Sequence, residues 1–284
     1  MQTLLADPGT RVLVLHGDQV ELREPQDGER AAASALVLRA PEPADATGLV
    51  VFLGQDADGT AYVAVVRPQA EQDAHPAWRT LRQIGADLDD RDATLFATAL
   101  ALANWHAAHT HCPRCGAPTK PVQAGWLRRC TSDGTEHYPR TDVAIIVSVV
   151  DDRDRILLAR GAGWGEGRFS VLAGFLEPGE SLAAAVAREV REEVGLEVSD
   201  VSYLGDQPWP FPSSLMVGFT ARATGSEDEL ENLRLQESEI AEARWFTRED
   251  YRAVLASGRV GASTRLSIAR RLIERWLGHG LDEV

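Results

Sequence analysis

Glu180, Arg188, Glu189, Glu192 and Glu193 crowd one short stretch, GFLEPGESLAAAVAREVREEVGL at 174–196. Pro178-Gly179 suits a tight turn, Ser181 suits a helix N-cap, and Gly195 can stop a helix in a left-handed conformation. The helix predicted between them has about 14 residues. Ala183, Val186, Ala187, Val190 and Val194 form its apolar stripe. Glu189 and Glu193 are four apart, so they stack on one face, beside Leu182 and Val186 at the stripe's edge. A carboxylate there is costly unless it is paired or binds a metal. Clustered carboxylate oxygens suit Mg²⁺ or Mn²⁺, which in turn hold phosphate oxygens and activate water. The plainer alternative, a solvated acidic face, suits Arg191 on the far side, with Glu192 intermediate. Glu180 and Arg188 are expected to brace the loop and helix as an ion pair.

All three cysteines lie close together. Cys112 and Cys115 form a CxxC knuckle, and Cys130 follows fifteen positions after Cys115. Four-coordinate zinc needs one more ligand. Where a ribbon would place a fourth cysteine stands Asp133, with His137 as the other choice. The expectation is a structural zinc site on Cys112, Cys115, Cys130 and Asp133; the alternative is a relic held by packing.

Residues 207–212 read QPWPFP. Three prolines favour an extended backbone, in which Trp209 and Phe211 share one side. Such a pair can offer a rigid aromatic platform to a flat ring. Alone, such a hexamer is more often a stiff loop or a peptide ligand.

Two structural units must carry these groups, since the chain has 284 residues. Short apolar runs at 12–15, 34–38, 49–53 and 62–66 read as strands of a β-rich N-terminal domain over residues 1–108, closed by a helix over 92–109. His16 and His75 read as surface or packing residues. Residues 109–141 are ribbon-like, and this is the one segment where basic residues outnumber acidic ones. Over 142–284, strands at DVAIIVSVV, RILLAR, FSVLAG, VSYLG, LMVGFTARA and AEARWF interleave with the acidic helix and a closing helix ending at Leu277. This pattern is expected to fold as a mixed sheet between helices. The net charge of −14 disfavours general binding to nucleic acid or membrane surfaces. No apolar stretch is long enough to span a membrane, and the N-terminus lacks a signal-peptide pattern. Clustered cysteines without a disulfide framework point to a reducing, cytoplasmic setting.

The glutamate-rich stretch resembles, position for position, the signature of the Nudix hydrolases, which cleave nucleoside diphosphates linked to another moiety. The QPWPFP hexamer and the following Ser214-Leu215-Met216 resemble the NAD(H) diphosphatase branch of that family. The order of β-rich domain, helix ending in Trp105-His106, ribbon and Tyr138-Pro139 does so too. The resemblance implies an α/β/α sandwich and hydrolysis of the NADH or NAD⁺ pyrophosphate to AMP and nicotinamide mononucleotide. It also implies removal of NAD caps from RNA, and a homodimer. It implies Mg²⁺ or Mn²⁺ held by Glu189, Glu193, Glu239 and the carbonyl of Ala173, with Glu192 or Glu239 as general base. Substrate contacts are implied at Arg82, Tyr138, Phe175, Gln207, Pro208, Trp209, Pro210, Phe211, Pro212, Ser213, Ser214 and Ala269. Phe175 matches a ring-stacking position. Asp206 departs from the branch, which has serine there. The competing readings are a Nudix hydrolase of another nucleoside diphosphate such as ADP-ribose, or a Nudix-fold binding protein without catalysis.

Overall fold

A computed structural model describes residues 1–23, 35–68 and 77–283, and His75 and Ser34 lie outside them. The chain divides into two compact units, Met1–Thr141 with Trp209–Ser213, and Asp142–Pro208 with Ser214–Val284.

The first unit opens with a short helix, α1 (Gln2–Ala6), followed by the strands β1 (Arg11–His16), β2 (Gln19–Arg23), β3 (Ala35–Leu36), β4 (Leu38–Arg39), β5 (Leu49–Gln55), β6 (Ala61–Arg67) and β7 (Trp78–Thr80). They make one sheet with the central order β3-β2-β1-β6-β5. The helices α2 (Leu81–Ile84) and α3 (Asp90–Ala108) follow. Asp89 caps α3 by accepting from the Asp92 amide. Leu95, Phe96, Ala99, Leu100 and Leu102 of α3 pack on Leu13, Leu15, Val51 and Ala64 of the sheet. His16 is a packing residue, its ring 4.7 Å from that of Trp78.

The ribbon is a three-stranded antiparallel sheet of β8 (Thr119–Val122), β9 (Leu127–Cys130) and β10 (Glu136–His137). The end of α3 ties into it. Arg128 donates to Nδ1 of buried His106 at 2.9 Å and to the Thr119 hydroxyl and carbonyl. His106 Nδ1 is therefore an acceptor, so its Nε2–H donates to the Gly125 carbonyl at 2.8 Å. Burial lowers the His106 pKa and keeps the ring neutral.

The second unit contains β11 (Asp142–Val150), β12 (Ile156–Gly161), β13 (Leu172–Phe175), α4 (Leu182–Val194), β14 (Glu197–Trp209), β15 (Ser214–Thr224), α5 (Glu227–Glu231), β16 (Ile240–Phe246), α6 (Arg248–Ala256) and α7 (Ile268–Leu277). Its sheet runs β14-β15-β11-β12-β16, with β13 also on β11. It is mixed, as expected: β15 is parallel to β11, while β12 and β13 are antiparallel to it. Successive residues of β11 serve opposite layers. Ile145, Val147 and Val149 pack with Val186, Val190 and Val194 of α4. Ile146 packs with Leu272 and Ile273 of α7. That alternation makes the α/β/α sandwich. No helix among the described residues is long and apolar enough to cross a membrane.

Candidate active site

The caps read from the sequence define α4. Ser181 accepts from the Ala184 amide at 3.2 Å, and Gly195 ends the helix at φ 75°. The buried stripe differs by one position. Ala185 is in the core and Ala183 is exposed, because α4 turns its Ala185–Glu189–Val190 side to the sheet.

Glu189 and Glu193 lie on this buried side, 8% and 5% exposed. Glu189 rests on Gly174 of β13. A Cβ at Gly174 would come 1.9 Å from the Glu189 carboxyl carbon, so only glycine leaves room. Arg188 gathers the carboxylates around it. It reaches Glu180 at 2.6 Å, Glu189 at 2.8 Å and Glu192 at 3.0 Å, and donates to the Phe175 carbonyl at 2.9 Å. The expected Glu180–Arg188 pair is present within a larger network. Arg191 is exposed and pairs with Glu197.

Glu193 receives no such help. Its Oε2 is buried and has no hydrogen-bond partner. Burial, then the charges of Glu189, Glu239 and Glu192, push its carboxyl up to about 8. Burial also raises Glu189, against the opposing pull of Arg188. Glu239 is brought in by the segment before β16. The amides of Arg234 and Gln236 donate to the carbonyls of Val194 and Glu193 at the end of α4, both at 3.0 Å. Those carbonyls have no partner within the helix. Gln236 in turn donates to Glu239 at 3.3 Å.

Glu193, Glu239 and Ala173 line one cleft of about 360 Å³. An unpartnered, buried carboxylate oxygen among like charges fits a cation, and an all-oxygen donor set fits Mg²⁺ or Mn²⁺. Phe175 lies two residues beyond Ala173 on β13, on the same strand face, and is 61% exposed.

The hexamer corrects the sequence reading. Gln207 and Pro208 belong to the second unit, and Trp209–Ser213 to the first. The chain is extended only through Trp209. Residues 210–213 form a turn, in which the Phe211 amide donates to the Trp209 carbonyl at 2.7 Å. The Phe211–Pro212 bond is cis. Trp209 and Phe211 do face one side, but they meet edge to face, with centroids 5.0 Å apart at 74°. They therefore do not form a flat platform. Arg82 sits over both rings, at 5.0 and 3.8 Å, and Phe211 packs against the core of its unit. Prolines cannot pair as ladder donors. Asn104 of α3 instead donates to the carbonyls of Pro210 and Pro212, at 3.0 and 3.3 Å, a restraint that sequence reasoning missed. The Gln207 amide braces the start of α7, donating to the Leu266 carbonyl and accepting from the Ile268 amide at 2.8 Å. Ala269, on the same turn, is buried. Ser214 opens β15 opposite Asp142 of β11. Tyr138 is 66% exposed and donates to Glu136.

In the ribbon, ligand atoms of Cys112, Cys115, Cys130 and Asp133 lie within 4.8 Å of one another. Three sulfurs and one carboxylate oxygen at that spacing fit a tetrahedral zinc ion. His137 is not in this group. Its ring lies beside Cys112; burial opposes ionisation of that thiol, but backbone donors from Arg114 and Cys115 and the His137 ring bring it down to about 7. The Thr135 amide, then the Cys130 thiol, hold the Asp133 carboxyl well below its ordinary value.

Three family profiles match this chain. They are the NUDIX domain over residues 139–265, the NADH pyrophosphatase zinc ribbon domain over 107–138, and the NADH pyrophosphatase-like rudimentary NUDIX domain over 9–105. The chain is 47% identical over 237 residues to the "NAD-capped RNA hydrolase NudC" of Mycobacterium bovis, covering 80% of this chain and 74% of that protein. It is 38% identical over 215 residues to the "NAD-capped RNA hydrolase NUDT12" of Homo sapiens, covering 72% of this chain and 45% of that one. A solved NUDIX hydrolase from Nitrosomonas europaea superposes with a TM-score of 0.47 at 20% identity, covering 60% of this chain and 94% of the other.

Proposed function

Because the chain belongs to the Nudix family, in its NADH pyrophosphatase branch, we propose that it hydrolyses the pyrophosphate of NADH and NAD⁺. The products are AMP and nicotinamide mononucleotide, and the same bond is cleaved in the NAD cap of RNA. The observation that carries this reading is the unpartnered, buried Oε2 of Glu193 in a cleft shared with Glu239 and Ala173.

Glu189, Glu193, Glu239 and the Ala173 carbonyl would hold the Mg²⁺ or Mn²⁺. When bound, the metal polarises the phosphoryl oxygens and lowers the pKa of water. Arg188 keeps Glu189 oriented and opposes the effect of burial on its carboxyl, and Gly174 leaves the room that Glu189 occupies. The Glu192 carboxylate is held by Arg188, whereas the Glu239 carboxylate accepts only from Gln236 among the described residues, which favours Glu239 as the proton acceptor. Phe175 offers an exposed ring for one base of the substrate. Arg82, Gln207, Trp209, Phe211 and Ser213 shape the hexamer that selects a dinucleotide. Cys112, Cys115, Cys130 and Asp133 hold a structural zinc, closed to substrate by its four protein ligands. The protein is proposed to act as a cytoplasmic homodimer. Its acidic charge implies that a capped RNA is held through its cap.

The test is product analysis with NADH, NAD⁺ and NAD-capped RNA side by side in Mg²⁺ or Mn²⁺. The expected outcome is AMP plus nicotinamide mononucleotide from the free dinucleotides, and a loss of at least about a hundredfold in Glu193→Gln. Near-normal turnover in that variant would remove Glu193 from the mechanism.

A further inference from the structure

The loop at 161–168 reads GAGWGEGR, and neither the signature nor the hexamer accounts for it. Trp164 is its single bulky apolar side chain and remains 37% exposed. Leaving an indole in water forgoes favourable burial, so an exposed one held in place suggests a partner. The loop is firmly attached. The Ala162 amide donates to the Glu239 carbonyl at 2.7 Å, and the Trp164 amide donates to the Gly161 carbonyl at 3.0 Å. Gly161 lies against the indole, where an added Cβ would come 3.2 Å from Nε1. The Arg168 guanidinium carbon is 4.6 Å from the indole centroid. Trp164 lines the cleft that contains Glu193, Glu239 and Ala173.

Phe175 is the other exposed ring at this cluster. Its carbonyl accepts from Arg188, and that guanidinium also binds Glu189. Each ring thus rides on a segment tied to a different member of the carboxylate cluster, Trp164 to Glu239 through the Ala162 amide and Phe175 to Glu189 through Arg188. A dinucleotide carries one base on each side of its pyrophosphate. Two rings about one carboxylate cluster match that arrangement.

We infer that Trp164 is a specificity-determining residue whose indole packs against one nucleoside ring of the substrate, the ring on the half that Phe175 does not take. This rests on the dinucleotide substrate proposed above. The small residues around Trp164 give the base room beside the indole, and the tie to Glu239 keeps the ring in register with the pyrophosphate.

The experiment is calorimetric titration of the whole protein in Mg²⁺ with AMP and, separately, with nicotinamide mononucleotide. Trp164→Ala is expected to weaken one of the two by about tenfold and to leave the other within about twofold. Phe175→Ala should show the opposite selectivity, and Trp164→Phe should recover most of the lost affinity. The inference is overturned if Trp164→Ala binds both mononucleotides as the parent does, or if Trp164→Phe recovers nothing. It is also overturned if the two alanine variants weaken the same mononucleotide, or if the parent binds neither. NADH turnover by the parent is followed in parallel. Absence of turnover refutes the proposed reaction, while the titrations still decide the role of Trp164.

Discussion

Replacing Glu193 with glutamine should stabilise the metal-free protein at alkaline pH while abolishing its chemistry. The Glu193 carboxyl rises from the ordinary 4.5 to about 8, through burial first and then through repulsion by Glu189, Glu239 and Glu192. Between those two values the folded protein holds a proton that the unfolded chain has released. Stability is therefore greatest below pH 4.5 for this group and is lost as pH rises towards 8, at about 1.4 kcal/mol per pH unit. From pH 6 to pH 8 the loss is ~2–3 kcal/mol, and it levels off above pH 8. A glutamine cannot ionise, so comparison with Glu193→Gln isolates this contribution from every other titrating group. Each kcal/mol moves Tm by about 2–8 °C for units of this size. The assay is thermal or urea unfolding of both proteins in EDTA at pH 6 and pH 8. The parent should lose ground to the variant at the higher pH. Saturating Mg²⁺ should reverse the order, since it binds the folded parent and compensates the carboxylates. Parallel pH profiles for the two proteins in EDTA would falsify the picture of a buried carboxylate awaiting a cation.

Arg188→Met strips the shared cation from Glu180, Glu189 and Glu192, and should cost on the order of 2 kcal/mol in chemical denaturation as well as most of the activity. Asp133→Ala should lower zinc affinity at least about tenfold in competition with a chelator, and Asp133→Cys should raise it. Metal analysis of the parent purified without chelator should find about one zinc per chain. Asn104→Ala frees the carbonyls of Pro210 and Pro212, and should narrow the preference for NADH over ADP-ribose by about fivefold without changing Mg²⁺ affinity. An unaltered preference would show that the turn keeps its shape without Asn104.

Features set by neighbours in sequence were legible before any coordinates. Ser181 and Gly195 bound α4 because a cap needs only a local hydroxyl and a residue free to adopt positive φ. The four-residue spacing put Glu189 and Glu193 together, and their place at the stripe's edge foretold burial. The CxxC knuckle, Cys130 and Asp133 converge much as their spacing suggested. Continuous apolar runs such as DVAIIVSVV marked most of the sheet strands, because a strand between two helical layers must be apolar on both faces.

What escaped the sequence depends on contacts between segments far apart in the chain. No local pattern says that Glu193 Oε2 lacks a donor, since that requires knowing every group around it. Gly174 matched a motif, but its physical necessity appears only when Glu189 is found lying against it. Proline content suggested an extended hexamer, yet Asn104, roughly a hundred residues earlier, holds its end in a turn. The glycine-rich loop at 161–168 has neither helical nor strand periodicity, so Trp164 gave no signal. Its place in the cleft follows from the hydrogen bond between Ala162 and Glu239, a tertiary contact made by backbone atoms that carry no sequence signature.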